Sequence, residues 1–251
     1  MRGKSAILGT ASVVGLLALA IPAQAGDAVW YPVAAWEMNE HTDQVNLRDA
    51  TGNHFSGIIG GRVTPTDRRY HNFPKEPRDT VVPQHIDLVQ DYDGLDPGFG
   101  DFMVQVSFKW DNDRHDMNLV QKGQGSPAGG LFKMKTSVPS EGQPKGGIKC
   151  LFRGSTGDSQ VESWGARHGG IKPGRLNDGK WHSVECSRDV NGTVMFVDGV
   201  FVDQNTNQPG EIDNDWPISI GGNTYCRDTP TQENQCNYWW GKIGRVRWLF
   251  A

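Results

Sequence analysis

The fold is decided by NDGKWHSVECSRDVNGTVMFVDGVFVDQ (177–204), WPISIGGNTYC (216–226) and NYWWGKIGRVRW (237–248). Asn191-Gly192 and Asp198-Gly199 separate runs of strand-forming residues within the first of these segments. Each dipeptide predicts a tight β-hairpin, because both central residues of a type I′ turn need a positive φ. We therefore expect three antiparallel strands in this part of the chain.

The rest of the chain follows the same pattern of short strands and turns. In residues 98–110, apolar side chains alternate with polar ones, which predicts a strand with one buried face. No segment shows a 3.6-residue apolar period over three turns. Residues 62–79 are polar and broken by proline, so we expect a long loop, either a surface insertion or one wall of a binding groove. The pattern predicts an all-β, two-sheet antiparallel sandwich.

Motifs at both ends of the chain resemble a known family. In order, they are DGKWHSV (178–184), VDG (197–199), ISIGG (218–222) and GKIGRVRW (241–248), preceded by Trp36, Glu40, Asp49, Gly52, Asn53 and Gly57. They resemble bacterial laminin G-like (LamG) domains of the concanavalin A-like lectin-glucanase superfamily. The resemblance implies a jelly roll whose first and last strands pair in one sheet. It also implies a non-catalytic binding module whose partner is an extracellular glycan or, as a second choice, a protein.

Residues 1–25 have the features of a signal peptide. Arg2 and Lys4 precede an apolar run, and Ala23-Gln24-Ala25 is a small-residue cleavage site. A membrane anchor is the alternative, but the run is short for a span. We therefore expect a secreted, extracellular protein with one LamG-like domain at 26–251 and no membrane span. Cleavage would leave 23 basic and 29 acidic residues, a net charge of −6 without a basic stripe, which argues against nucleic acid and anionic membranes.

Four cysteines in an exported chain predict two disulfide bonds. Three connectivities are open. We favour Cys226–Cys236, because a turn-rich polar segment separates the two, which leaves Cys150–Cys186 to join two strands. A metal site is the alternative, but no C-x-x-C or H-E-x-x-H spacing occurs.

The resemblance also implies a structural calcium ion, which would be the protein's only cofactor. Asp49 and Asn53 offer oxygen ligands at a turn, as a hard cation requires. The family's last strand often adds an acidic pair, which is Gly244-Arg245 here. An arginine at that position would repel a cation or replace it by pairing with Asp49. An ordinary Asx-turn is the alternative for Asp49.

A polysaccharide-degrading enzyme on the same scaffold, a glycoside hydrolase or a lyase, is the alternative function. Retaining β-glucanases of the superfamily carry E-x-D-x-E on one strand, and Glu211, Asp213 and Asp215 are a weak match here. The third acid is aspartate rather than glutamate, and flanking Pro209-Gly210 and Trp216-Pro217 indicate a loop. No lyase motif is present.

Aromatic residues near the C-terminus are the candidate ligand-binding residues. Trp239 and Trp240 are adjacent, so in a strand they would point to opposite faces. We expect one to lie in the core and the other, with Tyr225 and Tyr238, to form a platform beside the Cys226–Cys236 loop. Flat aromatic faces suit sugar rings and protein partners. The alternative is that these residues cap the edge of the sandwich.

Overall fold

A computed structural model describes residues 29–66, 69–75, 85–124, 129–139, 145–224 and 236–251. Within these ranges the strands are β1 (Tyr31–Trp36), β2 (Asn46–Leu47), β3 (Gly57–Ile58), β4 (Thr64–Pro65), β5 (His71–Phe73), β6 (Asp87–Val89), β7 (Phe102–Lys109), β8 (Asn118–Gly123), β9 (Leu131–Thr136), β10 (Ile148–Gly154), β11 (Gly157–Glu162), β12 (Trp181–Asp189), β13 (Gly192–Val197), β14 (Val200–Asn205), β15 (Ile218–Ile220) and β16 (Gly241–Phe250). Two short 3-10 turns occupy Asp93–Leu95 and Arg167–Gly169.

The strands form two antiparallel sheets, which confirms the predicted jelly-roll sandwich. The first sheet has the order β14-β13-β12-β7-β16-β5-β4, with β1 paired to β16, and the second has the order β11-β10-β9-β8-β15-β6-β3-β2. The first and last strands are therefore neighbours, as expected. In the described ranges, no helix is long and apolar enough to cross a bilayer. The proposed signal peptide lies outside the described residues.

The core lies between the sheets. The alternation in residues 98–110 is confirmed in β7, whose inward residues are fully buried: Phe102, Val104, Val106 and Phe108. Phe102 packs against Trp248 of β16 with ring centroids 5.7 Å apart. Burying each large apolar side chain contributes about 1.5–3 kcal/mol, so this central strand pair anchors the fold.

One predicted hairpin turn has the expected geometry and the other is offset by a residue. Asp198 and Gly199 both have positive φ, 50° and 76°, between the paired ends of β13 and β14. The β12–β13 turn is centred on Val190-Asn191 instead, and only Gly192, the first residue of β13, has a positive φ. The prediction of a type I′ turn at Asn191-Gly192 is therefore wrong, although the hairpin itself forms.

The stretch at 62–79 is only partly a loop. β4 and β5 lie within it, and β5 pairs with β16, so this stretch extends the first sheet. The prediction missed this pairing because strands of two or three residues leave too short an alternation to recognise. Arg69 and Tyr70, in the turn between these strands, are thereby held beside the outer face of the sheet.

A disulfide bond connects the two sheets through the core. Cys150 of β10 and Cys186 of β12 are bonded and fully buried, which confirms the pairing that the sequence favoured. Cys236 is also disulfide-bonded. Its expected partner, Cys226, lies outside the described residues.

Candidate binding site

The predicted platform at residues 238–240 is largely internal. Trp239 and Tyr238 are fully buried, so neither offers a ring to a ligand, which corrects the expectation for Tyr238. Trp240 is half-buried, with the Lys75 ammonium 4.9 Å from its ring centroid. The two tryptophans precede β16 rather than lie in a strand. Tyr225 lies outside the described residues.

The acidic candidates for catalysis lie in the connection between β14 and β15, as their flanking residues indicated. Glu211 is half-buried, and Asp213 and Asp215 are exposed. Ile212, between Glu211 and Asp213, is buried and forms an isolated bridge with Gly98, which holds this connection against the residues before β7. The three acids therefore do not lie on a sheet face, where the β-glucanase pattern would need them.

Asp49 organises a turn through hydrogen bonds. Its carboxylate accepts the backbone N–H of Ala35 at 3.1 Å, of Thr51 at 3.0 Å and of Phe55 at 3.1 Å, and also the hydroxyl of Thr51. The side-chain amide of Asn53 donates to a carbonyl of β1 at 2.8 Å. This arrangement has the form of an Asx-turn, and calcium at Asp49 and Asn53 stays a prediction.

Two further expectations about this region can be compared with the structure. Asp49 and Arg245 are both described and form no ion pair with each other, so the proposed pairing is wrong. Arg245 instead lines a pocket on the outer face of the first sheet. Over the described part of the chain, no group of three or more His, Cys, Asp or Glu residues is arranged to hold a metal ion.

Trp181 is the most accessible tryptophan of the chain. It opens β12, opposite Lys109 of β7, and its side chain lies on the outer face of the first sheet with 44% of its surface exposed. All nine tryptophans lie in the described ranges, and the other eight are buried or half-buried. The indole combines a flat apolar face with a polar N–H, and tryptophan is enriched among the anchor residues of binding interfaces, so this position is a candidate contact surface.

A β-bulge in β16 lies beneath the indole of Trp181. Ile243 pairs with Phe108 and Arg245 pairs with Ser107, so Gly244 is an extra residue on the bulged strand. A bulge re-aims neighbouring side chains and bends the strand locally. Ile243 and Val246, on either side of Gly244 and Arg245, are buried. Gly244 and Arg245 therefore both lie towards the outer face of the sheet.

The absence of a side chain at Gly244 makes room for the ring of Trp181. A Cβ atom at this position would come within 2.9 Å of Cζ3 and 3.1 Å of Cη2 of the indole. Such contacts are shorter than van der Waals packing allows. The glycine and the tryptophan are therefore fitted to each other.

Tyr70 completes an aromatic surface beside the indole. Its ring centroid lies 5.8 Å from that of Trp181, with the ring planes tilted by 54°. The Lys242 ammonium lies 4.7 Å from the centroid of the Tyr70 ring, within cation–π range. These contacts limit the movement of both rings and preorganise them.

Trp181, Gly244 and Arg245 border a pocket of about 390 Å³, which we call the Trp181 pocket. Its lining residues are Glu37, Asn39, Arg69, Ser107, Trp181, Gly244 and Arg245. The volume lies within the range of about 300–1,000 Å³ that is common for small-ligand sites. Glu37 is bound by Arg247, whose Nη2 donates to its carboxylate at 3.1 Å.

A larger groove of about 690 Å³ lies beside β2 and β3, with Glu40 among its lining residues. Glu40 belongs to a buried network that joins the sheets. His71 Nδ1 lies 2.6 Å from Asp87 Oδ2, and Nε2 lies 2.9 Å from Glu40 Oε2. The remaining carboxylate oxygens accept backbone N–H groups of Gly60 and Arg48. The network is fully engaged in structural contacts, so we do not assign it a ligand.

The charges of this network shift its titration. Burial acts to lower the pKa of His71, but the charge and hydrogen bond of Asp87, together with those of Glu40, outweigh it and raise the pKa to about 9. Burial acts to raise the pKa of Glu40, but the hydrogen bonds from His71 and the Arg48 backbone hold it below its ordinary value. At neutral pH, a histidinium therefore bridges two carboxylates.

Sequence reasoning did not identify the Trp181 pocket. Trp181 lies in DGKWHSV, which was read as a family motif and not as a site. Two features of the sequence could have indicated the pocket. One is Gly244-Arg245, which replaces the acidic pair of the family's last strand, and the other is the stretch 62–79, which was considered as one wall of a binding groove. Arg69 and Tyr70, which flank the pocket, lie in that stretch.

The comparison with protein families agrees with this geometry. Residues 146–247 match the family model for the Laminin G domain. This part of the chain, from β10 into β16, is therefore similar to a laminin G domain. The match includes β12 and the Gly244-Arg245 bulge, so most of the Trp181 pocket is built on the matched part. Among curated proteins, no sequence matches the chain.

Solved structures share the fold of this chain at low sequence identity. The binding domain of Paraclostridial Mosquitocidal Protein 1 is 12% identical with a TM-score of 0.53, and the match covers 86% of this chain and 47% of that one. This chain thus spans about half of that domain's length. Domain 4 of AbnA, a GH43 extracellular arabinanase from Geobacillus stearothermophilus solved with arabinotriose, is 16% identical with a TM-score of 0.53, covering 88% and 93%. The botulinum neurotoxin serotype D binding domain is 11% identical with a TM-score of 0.52, covering 87% and 47%.

Proposed function

We propose that this protein is a secreted, non-catalytic module that binds an extracellular glycan in the Trp181 pocket. The observation that carries the proposal is the exposed indole of Trp181, held against Tyr70 above a concave surface. A flat aromatic face packs well against the apolar face of a sugar ring. The polar groups around it, from Asn39 and Ser107, are suited to hydrogen bonds with hydroxyl groups.

Two structural relatives support a role in binding. Domain 4 of the arabinanase AbnA was solved with arabinotriose, a saccharide, and shares this jelly roll over most of its length. The similar part of the mosquitocidal protein is described as its binding domain. A fold does not fix a function, so the proposal depends on the residues of the pocket.

The composition of the pocket favours binding over hydrolysis. Glycoside hydrolases use two carboxyl groups, about 5–5.5 Å apart in retaining enzymes and about 6.5–9.5 Å apart in inverting ones. Among the described residues that line the Trp181 pocket, Glu37 is the only acidic one, and it is engaged by Arg247. Glu211, Asp213 and Asp215 do not line it. We therefore infer that the pocket holds a saccharide without cleaving it.

A glycan array with a reducing-sugar assay tests the proposal. We expect the purified protein to bind saccharides and to release no reducing ends. Trp181→Ala should weaken binding by about tenfold or more, the effect of losing an anchor residue. Phe99→Ala is the matched control, since Phe99 is 71% exposed and precedes the opposite end of β7. Equal binding by both variants, or release of reducing ends, would contradict the proposal.

A further inference from the structure

The Trp181 pocket and the larger groove beside β2 and β3 are neighbours. Asn39 lines both of them, whereas Glu37 lines only the pocket and Glu40 lines only the groove. These residues belong to the connection between β1 of the first sheet and β2 of the second. The two cavities, of about 390 and 690 Å³, therefore open on either side of one exposed side chain, and Asn39 forms the ridge between them.

The residues on either side of Asn39 hold this ridge in place. Met38 is fully buried in the core, and its positive φ of 49° turns the chain at this point. Glu40 is buried and accepts hydrogen bonds from His71 at 2.9 Å and from the backbone N–H of Arg48 at 2.8 Å. Asn39 is thus an exposed residue between two anchored ones. A ligand that contacts both cavities would meet a preorganised ridge, so little conformational entropy would be lost in ordering it.

The side chains of the groove are suited to the hydroxyl groups of sugars. Asn39, Asn46 and Gln90 are exposed, and their side-chain amides make no hydrogen bond with any described residue. An amide carries both donors and an acceptor, so it can pair with a hydroxyl group in either direction. The groove therefore offers accessible polar groups that the protein does not use itself.

Each cavity also has an aromatic ring that can face a sugar. Among the described lining residues, the pocket has Trp181 and the groove has Tyr92. Tyr92 is half-buried, and its ring centroid lies 5.2 Å from that of Phe55, with the ring planes tilted by 56°. This contact limits the movement of the Tyr92 ring. Flat apolar faces are thus available on both sides of the ridge.

We propose that the ligand is an oligosaccharide chain that lies across the ridge at Asn39, with one unit against Trp181 and further units in the groove beside Tyr92. This inference rests on the proposed function. A single sugar unit would occupy one cavity and leave the other to water. Units that are covalently joined to it would meet the second cavity at a high effective concentration, so a longer chain binds more tightly.

The dependence of affinity on chain length tests the proposal. Ladders of glucose, xylose, mannose and galactose oligosaccharides, from one to about six units, are titrated by calorimetry. We expect the affinity for the recognised sugar to rise by about tenfold or more between one unit and about four, and to level off once both cavities are filled. One oligosaccharide should bind per protein chain. Two oligosaccharides per chain would indicate separate sites and would contradict the proposal.

Variants that fill the groove assign the gain to it. Asn46→Trp and Gln90→Trp each place a large side chain in the groove, and each should reduce the affinity for the long oligosaccharide to that for the short one. Gln160→Trp is the matched control. Gln160 is exposed, lies on β11 at the opposite edge of the second sheet from β2, and lines neither cavity. Binding of the short oligosaccharide shows that each variant is folded.

The outcomes separate this inference from the proposed function. Trp181-dependent binding without any gain from chain length would overturn the inference and leave the function intact. A gain that survives in both groove variants would place the additional units elsewhere and would also overturn it. Binding that is unaffected by Trp181→Ala, or no binding to any ladder, would overturn both.

Discussion

The six-membered ring of Trp181 lies directly against the backbone of Gly244, so that a Cβ atom on residue 244 would be 2.9 Å from it. The two residues belong to β12 and β16, which are not neighbours in the sheet but are separated by β7. The indole therefore reaches across an intervening strand, above Ser107, and covers the bulge. This reach places the ring on the outer face of the sheet, where 44% of the Trp181 surface is exposed and accessible to a ligand.

Gly244→Ala should disturb the Trp181 pocket without unfolding the protein. The new methyl group would force the indole away from the sheet, so we expect weaker glycan binding and a shifted indole NMR signal of Trp181, assigned through Trp181→Phe. The melting temperature should stay within about 2–4 °C, or about 1 kcal/mol for a domain of this size. Gly174→Ala is the control, because a Cβ there meets no atom within 4 Å. An unmoved indole signal would refute the fit.

Trp181→Ala and Trp239→Ala should have opposite effects on stability and binding. Trp239 is fully buried, with its ring centroid 5.7 Å from those of Phe108 and Trp110, so its removal should cost about 3–5 kcal/mol of unfolding free energy. Trp181 is exposed, and its removal should cost about 1 kcal/mol or less. Urea denaturation and saccharide titration measure the two effects. Similar stability losses in both variants would show that Trp181 is mainly structural.

The fold was largely predictable because its signals are local. Alternation over β7 and the Asp198-Gly199 turn each lie within a few residues and specify a strand and a hairpin. The pairing of Cys150 with Cys186 could be inferred because only four cysteines had to be matched. The offset turn at Val190-Asn191 shows the limit, since pairing across the hairpin moved the register by one residue.

The site was less predictable because its parts come from distant segments. Whether Trp181 is exposed depends on Gly244 and Tyr70, which no local pattern connects to it. The sequence instead favoured Trp239 and Trp240 as ligand-binding residues, but Trp239 is buried in the core. The rule that alternate residues face opposite sides applies within strands, and these two residues precede β16.

The disulfide between the sheets should contribute substantially to stability. Replacing Cys150 and Cys186 together by alanine should lower the free energy of unfolding by about 3–4 kcal/mol, mainly because the unfolded chain regains the freedom of the closed loop. Denaturation under non-reducing conditions measures the difference. Non-reducing peptide mapping should also link Cys226 to Cys236. A stability within about 1 kcal/mol of wild type, or a Cys150–Cys226 peptide, would contradict these expectations.

Calcium should have little effect on the turn at Asp49. Both oxygens of its carboxylate already accept hydrogen bonds, so a cation would have to displace donors from Thr51 and Phe55. We expect the melting temperature after chelation to be unchanged by millimolar calcium, measured by calorimetry. A rise in melting temperature would show preferential binding to the folded state and would restore the site that the family resemblance implies. Asp49→Asn, which loses the charge, would then abolish the rise.

The network of His71 with Asp87 and Glu40 should make stability fall at alkaline pH. The pKa of His71 is raised to about 9 in the folded state, against about 6.5 when unfolded. Its contribution is therefore fully present below pH 6.5 and is lost as the pH rises through about 9, by up to about 3 kcal/mol. Urea denaturation from pH 6 to 10 should show this fall in wild type. His71→Gln should be less stable at pH 6, because it leaves two buried carboxylates without their cation, and should lack the fall. Parallel pH profiles for the two proteins would show that His71 is not the group responsible.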